Sequence, residues 1–178
     1  MRKGEIAKQH YEYEKLGSAS LLAAIEPLTG RRLGQVYEQR TKREFTLFCL
    51  LLSAAYPQAK RIRVVLDNLN THNASSFYEQ LSAEQAFALA ERFELIYTPK
   101  GASWLNMIEC EFSSIARLCL DRRIATIEHL RSEVLALLQE RSAKAIKINW
   151  QFSIGAARSK LNSHYTRVNA ANQKYKQT

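Results

Sequence analysis

The stretch Val64-Val65-Leu66-Asp67-Asn68 runs three apolar residues straight into an acid. An acid at the carboxyl end of a strand stands where open α/β sheets bind ligands. Asp-Asn after a strand also starts turns, because both side chains bond nearby backbone. Asp67 alone leaves both readings open. Glu109 narrows the choice. It lies in a segment whose apolar residues Trp104, Leu105, Ile108, Phe112, Ile115, Leu118 and Cys119 recur at helical spacing. On that wheel Glu109 falls against the apolar stripe, and Glu111 points away from it. A carboxylate at a buried edge is expensive unless a cation compensates it. An Arg or Lys partner would do so. A divalent metal such as Mg²⁺, which takes oxygen ligands, would do so too. The chain has only two aspartates, and the second, Asp121, sits beside Arg122 and Arg123 as a solvated helix-end charge. The acids free for metal chemistry are therefore Asp67, Glu109 and at most a further glutamate.

Other polar residues gather near these two in the sequence. His72, five residues after Asp67, can orient water, touch a phosphate, or bond backbone in its loop. Asn106 precedes Glu109 at i,i+3 spacing and shares its side of a helix. Lys100 stands just before the expected helix start, where anions bind. Basic clusters occur at Arg40, Lys42 and Arg43, at Arg117, Arg122 and Arg123, and along the carboxyl tail. Such groups contact phosphates without sequence preference and release them in salt; they also serve as a solvated surface.

The totals agree with that chemistry. The 178 residues suit one domain, and 46% of them are hydrophobic, which excludes wholesale disorder. A net charge of +9 suits a polyanion: DNA, RNA or an anionic membrane. Three cysteines without paired short spacing argue against a disulfide framework or a zinc knuckle. Buried thiols in a reducing cytoplasm are the expectation. The start lacks the apolar core of a signal peptide. The longest apolar stretch, Phe45 to Tyr56, is too short to span a bilayer.

The elements that must position these residues can be read in order. Residues 1–17 form a polar arm without periodicity. Leu21 to Ile25 and Leu33 to Tyr37 read as a hairpin around Pro27-Leu28-Thr29-Gly30. Thr41, followed three residues later by Glu44, caps a helix that Pro57 closes. Arg61 to Asp67 is a strand, and its apolar run suits a central position covered on both faces. Residues 74–93 form one helix, or two with a second cap at Ser82. Glu94 to Pro99 is a short strand. A strong helix follows with Ser103 as its cap. Thr126 caps the last helix, with Ile127, Leu130, Val134, Leu137 and Leu138 along one face. This order specifies an α/β layer protein with a mixed sheet flanked by helices. The folded domain spans 18–154, and 155–178 form a basic tail.

Val64 to His72, followed by Phe93 to Phe112, resembles the DDE-type transposases of bacterial insertion sequences, in the mariner-like group. The matching residues are Asp67, Asn68, Thr71, His72, Thr98, Pro99, then Ser103, Trp104, Leu105, Asn106 and Glu109. The likeness runs from about residue 10 to about 166. It implies an RNase H-like, integrase-like fold. It also implies Asp67 and Glu109 as the second and third acids of a metal-binding triad, holding Mg²⁺ or Mn²⁺ for cleavage and joining of DNA. His72, Lys100, Asn106, Arg122 and Arg123 become DNA-contact candidates. Forty-one residues separate the two acids. The family's first acid ends an upstream strand. Residues 1–17 offer no apolar strand and no Asp, with Glu5 as the one conceivable substitute. The expectation is therefore a bacterial, cytoplasmic fragment or second reading frame lacking the first strand and first Asp. Its partners would be DNA (transposon ends and target) and an upstream-frame product or a full-length transposase, with a homo-oligomer when active and no membrane. Two readings stand beside it: an inactive DNA-binding remnant or inhibitory partner, and a nuclease that uses water without strand transfer.

Overall fold

The computed structural model describes residues 17–99 and 102–162. β1 (Ser20–Ile25) and β2 (Arg32–Tyr37) form the expected antiparallel hairpin, with Ser20 opposite Tyr37 and Ile25 opposite Arg32. Gly30 closes its turn at φ +80°, and a Cβ there would meet the Ala145 carbonyl carbon at 2.7 Å. Both the dihedral and the space require glycine.

α1 (Lys42–Ala55) starts at the anticipated capping box. Thr41 Oγ1 accepts from the Arg43 N–H at 3.2 Å, and the Glu44 carboxylate accepts from the Thr41 N–H at 2.8 Å. The helix buries Phe45, Phe48, Cys49 and Leu52, one stripe at 3.6-residue period. β3 (Ile62–Leu66) and β4 (Phe93–Tyr97) pair in parallel, with Ile62 opposite Phe93 and Leu66 opposite Tyr97. The crossover between them is two helices, α2 (Ser75–Gln80) and α3 (Ala83–Arg92), the second capped by Ser82. Phe45, Phe48, Leu66, Phe77, Leu89 and Phe93 pack into one core beneath β3 and β4. A buried Phe of this kind is worth about 1.5–3 kcal/mol by area, and the cluster packs α1 against the strand end that precedes Asp67.

The strands do not join into one mixed sheet. Among the described residues they form two separate pairs, β1–β2 and β3–β4. β3 is accordingly not the doubly covered central strand expected from its apolar run. Its burial alternates, with Arg63 and Val65 exposed, Val65 by 49%. Successive side chains point to opposite faces, so one face of β3 is covered and the other open, and among the described residues no strand lies on its second edge.

α5 (Ile127–Ala143) lies on β2, burying Val134 and Leu138 with Val36, Ile115 and Cys119 in a second core. Gly34 lets it approach; a Cβ there would stand 2.3 Å from Leu138 Cδ1. The helix expected from Ser103 starts later. Ser103–Leu105 is one 3₁₀ turn without a side-chain cap, Asn106 is extended, and α4 runs Ile108–Ile115 before a wider π turn at Ala116–Leu120. This shift reverses two expectations. Glu109 is exposed, and Glu111 is buried at 1% exposure. Arg32 Nη2 donates to Glu111 Oε2 at 2.9 Å, and Arg141 Nε donates to Oε1 at 2.7 Å. The buried charge is thus paired, and it pins α4 to β2 and α5. Cys110 is exposed, unlike buried Cys49 and Cys119, because it shares the outward side with Glu109.

Beyond α5, residues 154–162 are helical. Phe152 meets Trp104 at 5.2 Å and Trp150 at 6.1 Å between ring centroids, and Lys160 Nζ sits 4.5 Å over the Trp104 ring. Trp104 therefore packs on this carboxyl segment and not in either core.

Candidate active site

The parallel ladder carries β3 up to its last residue: the Leu66 carbonyl accepts the Thr98 N–H at 2.9 Å. Asp67 follows at once and leaves the sheet at its carboxyl edge. The loop then turns back, with the His72 N–H donating to the Leu69 carbonyl at 2.9 Å. That turn brings His72 Nδ1 to 2.8 Å from Asp67 Oδ1. A carboxylate only accepts, so Nδ1 carries the proton in this bond. Phe45 stacks on the imidazole at 4.9 Å, and His72 is buried at 9% exposure. Its Nε2 is buried with no hydrogen-bond partner among the described residues. The histidine therefore orients the acid through a ring that packing holds still.

Asn106 ties the second acid's loop to the same strand. Its Nδ2 donates to the Val65 carbonyl at 3.4 Å, and its Oδ1 accepts the Ile108 N–H at 3.3 Å. One side chain thus fastens the start of α4 beside the end of β3. Glu109 follows one turn later. Asp67, His72, Asn106 and Glu109 line a single cavity of about 580 Å³. Its remaining wall is mostly apolar, from β1, β3 and α1. Among the described residues neither acid pairs with an Arg or Lys; Asp67 bonds only His72.

The other candidates lie elsewhere. Arg122 pairs with Glu133, and neither Arg122 nor Arg123 lines this cavity. Lys100 and Glu5 lie outside the described residues. Arg40, read only as part of a surface cluster, lines the cavity. Its signal was its place just before the Thr41 cap, five residues ahead of Phe45. The Arg32–Glu111–Arg141 cluster carried no local signal, since its members are far apart in sequence.

A hard divalent cation suits two unpaired carboxylates, one already held by a ring N–H, because Mg²⁺ keeps several waters and needs few protein oxygens. Among the described residues no group of three or more His, Cys, Asp or Glu side chains converges as a cage. Asp67 and Glu109 are carboxylates on this wall that could hold such an ion, with water completing its shell. A model of the DDE superfamily endonuclease family matches residues 1–131. No curated protein and no solved structure matches the chain.

Proposed function

The chain belongs to the DDE superfamily endonuclease family, and from that premise we propose that it is the transposase domain of a bacterial insertion sequence of the mariner-like group, cutting and joining DNA. What carries the reading is the pair of unpaired acids, Asp67 and Glu109, on the wall of one cavity. Asp67 and Glu109 would hold Mg²⁺ or Mn²⁺. The bound cation supplies Lewis acidity at a phosphodiester and an acidified water.

The chain's own residues do the rest. His72 fixes the Asp67 carboxylate by its Nδ1–H. Asn106 fixes the approach of α4 by its bond to the Val65 carbonyl. Water oxygen bonds to phosphorus, and the released 3′-oxygen takes a proton. In joining, that 3′-hydroxyl oxygen bonds to a target phosphorus as the bond to the target's own 3′-oxygen breaks, and the hydroxyl proton passes to the displaced oxygen. The net charge of +9 holds the polyanion, with Arg122, Arg123 and Lys100 as phosphate contacts. An upstream-frame product or a full-length transposase is the partner that would complete the acid set.

Isothermal titration of the purified chain with MnCl₂ tests this. We expect uptake that Asp67→Asn and Glu109→Gln each abolish. Uptake indifferent to both substitutions sinks the assignment. A second reading, a catalytically silent DNA-binding remnant or inhibitory partner, is favoured by the basic charge on a chain with so few free acids. It predicts DNA binding that Asp67→Ala leaves intact and that salt weakens.

A further inference from the structure

The positive charge is unevenly placed along the chain. Residues 141–178 hold eight of its 26 Lys and Arg and none of its 17 Asp and Glu. Eight of the nine net positive charges therefore lie in this stretch, and residues 1–140 are close to neutral. Two of the eight are matched by acids upstream, Arg141 by Glu111 and Lys144 by Glu140. Lys147, Arg158 and Lys160 are exposed, and their own segment contains no acid to mask them. A polyanion held by charge is held mainly here.

The same stretch carries aromatic rings. Trp150 packs on Phe152 at an interplanar angle of 71°, and Phe152 on Trp104 at 81°. All three rings are half-buried. The Lys160 ammonium lies over the Trp104 ring, 4.5 Å from its centroid. An exposed cation is held only weakly on such a face, and a nucleobase stacks on it more strongly. A base that takes the Trp104 face therefore displaces Lys160 and frees its charge for a phosphate. The position is close to the acids. Trp104 and Leu105 are neighbours in one 3₁₀ turn. Leu105 lines the cavity with Asp67 and Glu109, while Trp104 packs on the carboxyl segment. Trp150, Phe152 and Lys160 all lie beyond residue 131, where the family match ends.

We propose that Trp104, Trp150, Phe152 and Lys160 form a platform for an unpaired DNA strand. One base stacks on Trp104, and Lys160, with Arg158 and Lys147, takes the flanking phosphates. Base faces in a duplex are already stacked on one another, so the rings select a strand that is single. The choice of DNA rests on the function proposed above; the site itself rests on charge and ring geometry and needs no metal.

The test is fluorescence anisotropy on the full chain in EDTA, with labelled oligothymidylate of about 12 nucleotides and a duplex of the same length. The single strand should bind about tenfold more tightly, although the duplex carries the denser charge. Trp104→Phe should keep that preference. Trp104→Leu should weaken the single strand by about tenfold and leave the duplex unchanged. Lys160→Gln, at an exposed position, should lower the slope of log affinity on log salt by about 0.7 for the single strand. Equal affinity for the two forms overturns the proposal, as does a Trp104→Leu loss shared by both. If Trp104→Leu does not fold, the Lys160→Gln slope decides, and an unchanged slope overturns the site. Tighter binding of oligouridylate overturns the choice of DNA. Tighter binding of phosphatidylserine vesicles, read by cosedimentation, overturns the nucleic-acid assignment. Because no metal is present, failure of manganese uptake at Asp67 and Glu109 leaves these results untouched.

Discussion

Asp67 gives one carboxylate oxygen to His72 Nδ1 and keeps 40% of its side chain exposed. A ligating carboxylate oriented by such a bond typically binds its metal 10–100-fold better than one left loose. His72→Phe keeps a ring against Phe45 but removes the N–H. We expect it to weaken manganese binding by about tenfold or more, read by calorimetry, with little change in melting temperature. Unchanged affinity would reduce His72 to a packing residue. The Asp67 position was legible in the sequence because a strand end and a turn are both local. The exposure of Glu109 was not. Its direction depends on where α4 begins, and Asn106 sets that through a bond to a strand 41 residues away.

Glu111 acts at the level of elements, since its carboxylate joins α4 to β2 through Arg32 and to α5 through Arg141. Removing one partner of a buried pair leaves uncompensated charge, so Glu111→Ala should cost about 3–5 kcal/mol in chemical denaturation. Burial alone raises the Glu111 carboxyl, but hydrogen bonds from Arg141 and Arg32 outweigh it and hold the group below its ordinary 4.5. A depressed native value means the unfolded chain binds protons more readily. The stability from this group is then complete above pH 4.5 and drains away as pH falls through the native value. Acid titration of stability should show that loss in the wild type and lack it in Glu111→Gln. Gly34→Ala should also destabilise, by about 1–3 kcal/mol, because its Cβ would press on Leu138 where α5 crosses β2. The caps of α1, α3 and α5 were readable from short motifs. The 3₁₀ turn and the π turn around α4 were not, since long-range anchors decide them.

For the whole molecule, element order was readable but sheet membership was not. Each strand announced itself by its own apolar pattern. Whether β1 and β3 are neighbours depends on what lies between them, and no local pattern reports that. The contiguous Val64-Val65-Leu66 run called for cover on both faces, while Val65 stands 49% exposed and Ile96 39%. Partly uncovered strands of this kind are sites of edge-to-edge association.

The contact of Trp104 and Trp150 with Phe152 has an optical consequence. These are the chain's only tryptophans, so its ultraviolet emission arises from one aromatic patch two residues ahead of Asn106. Spectral shifts would report on the approach to Glu109 and stay silent about the phenylalanine-rich interior beneath β3.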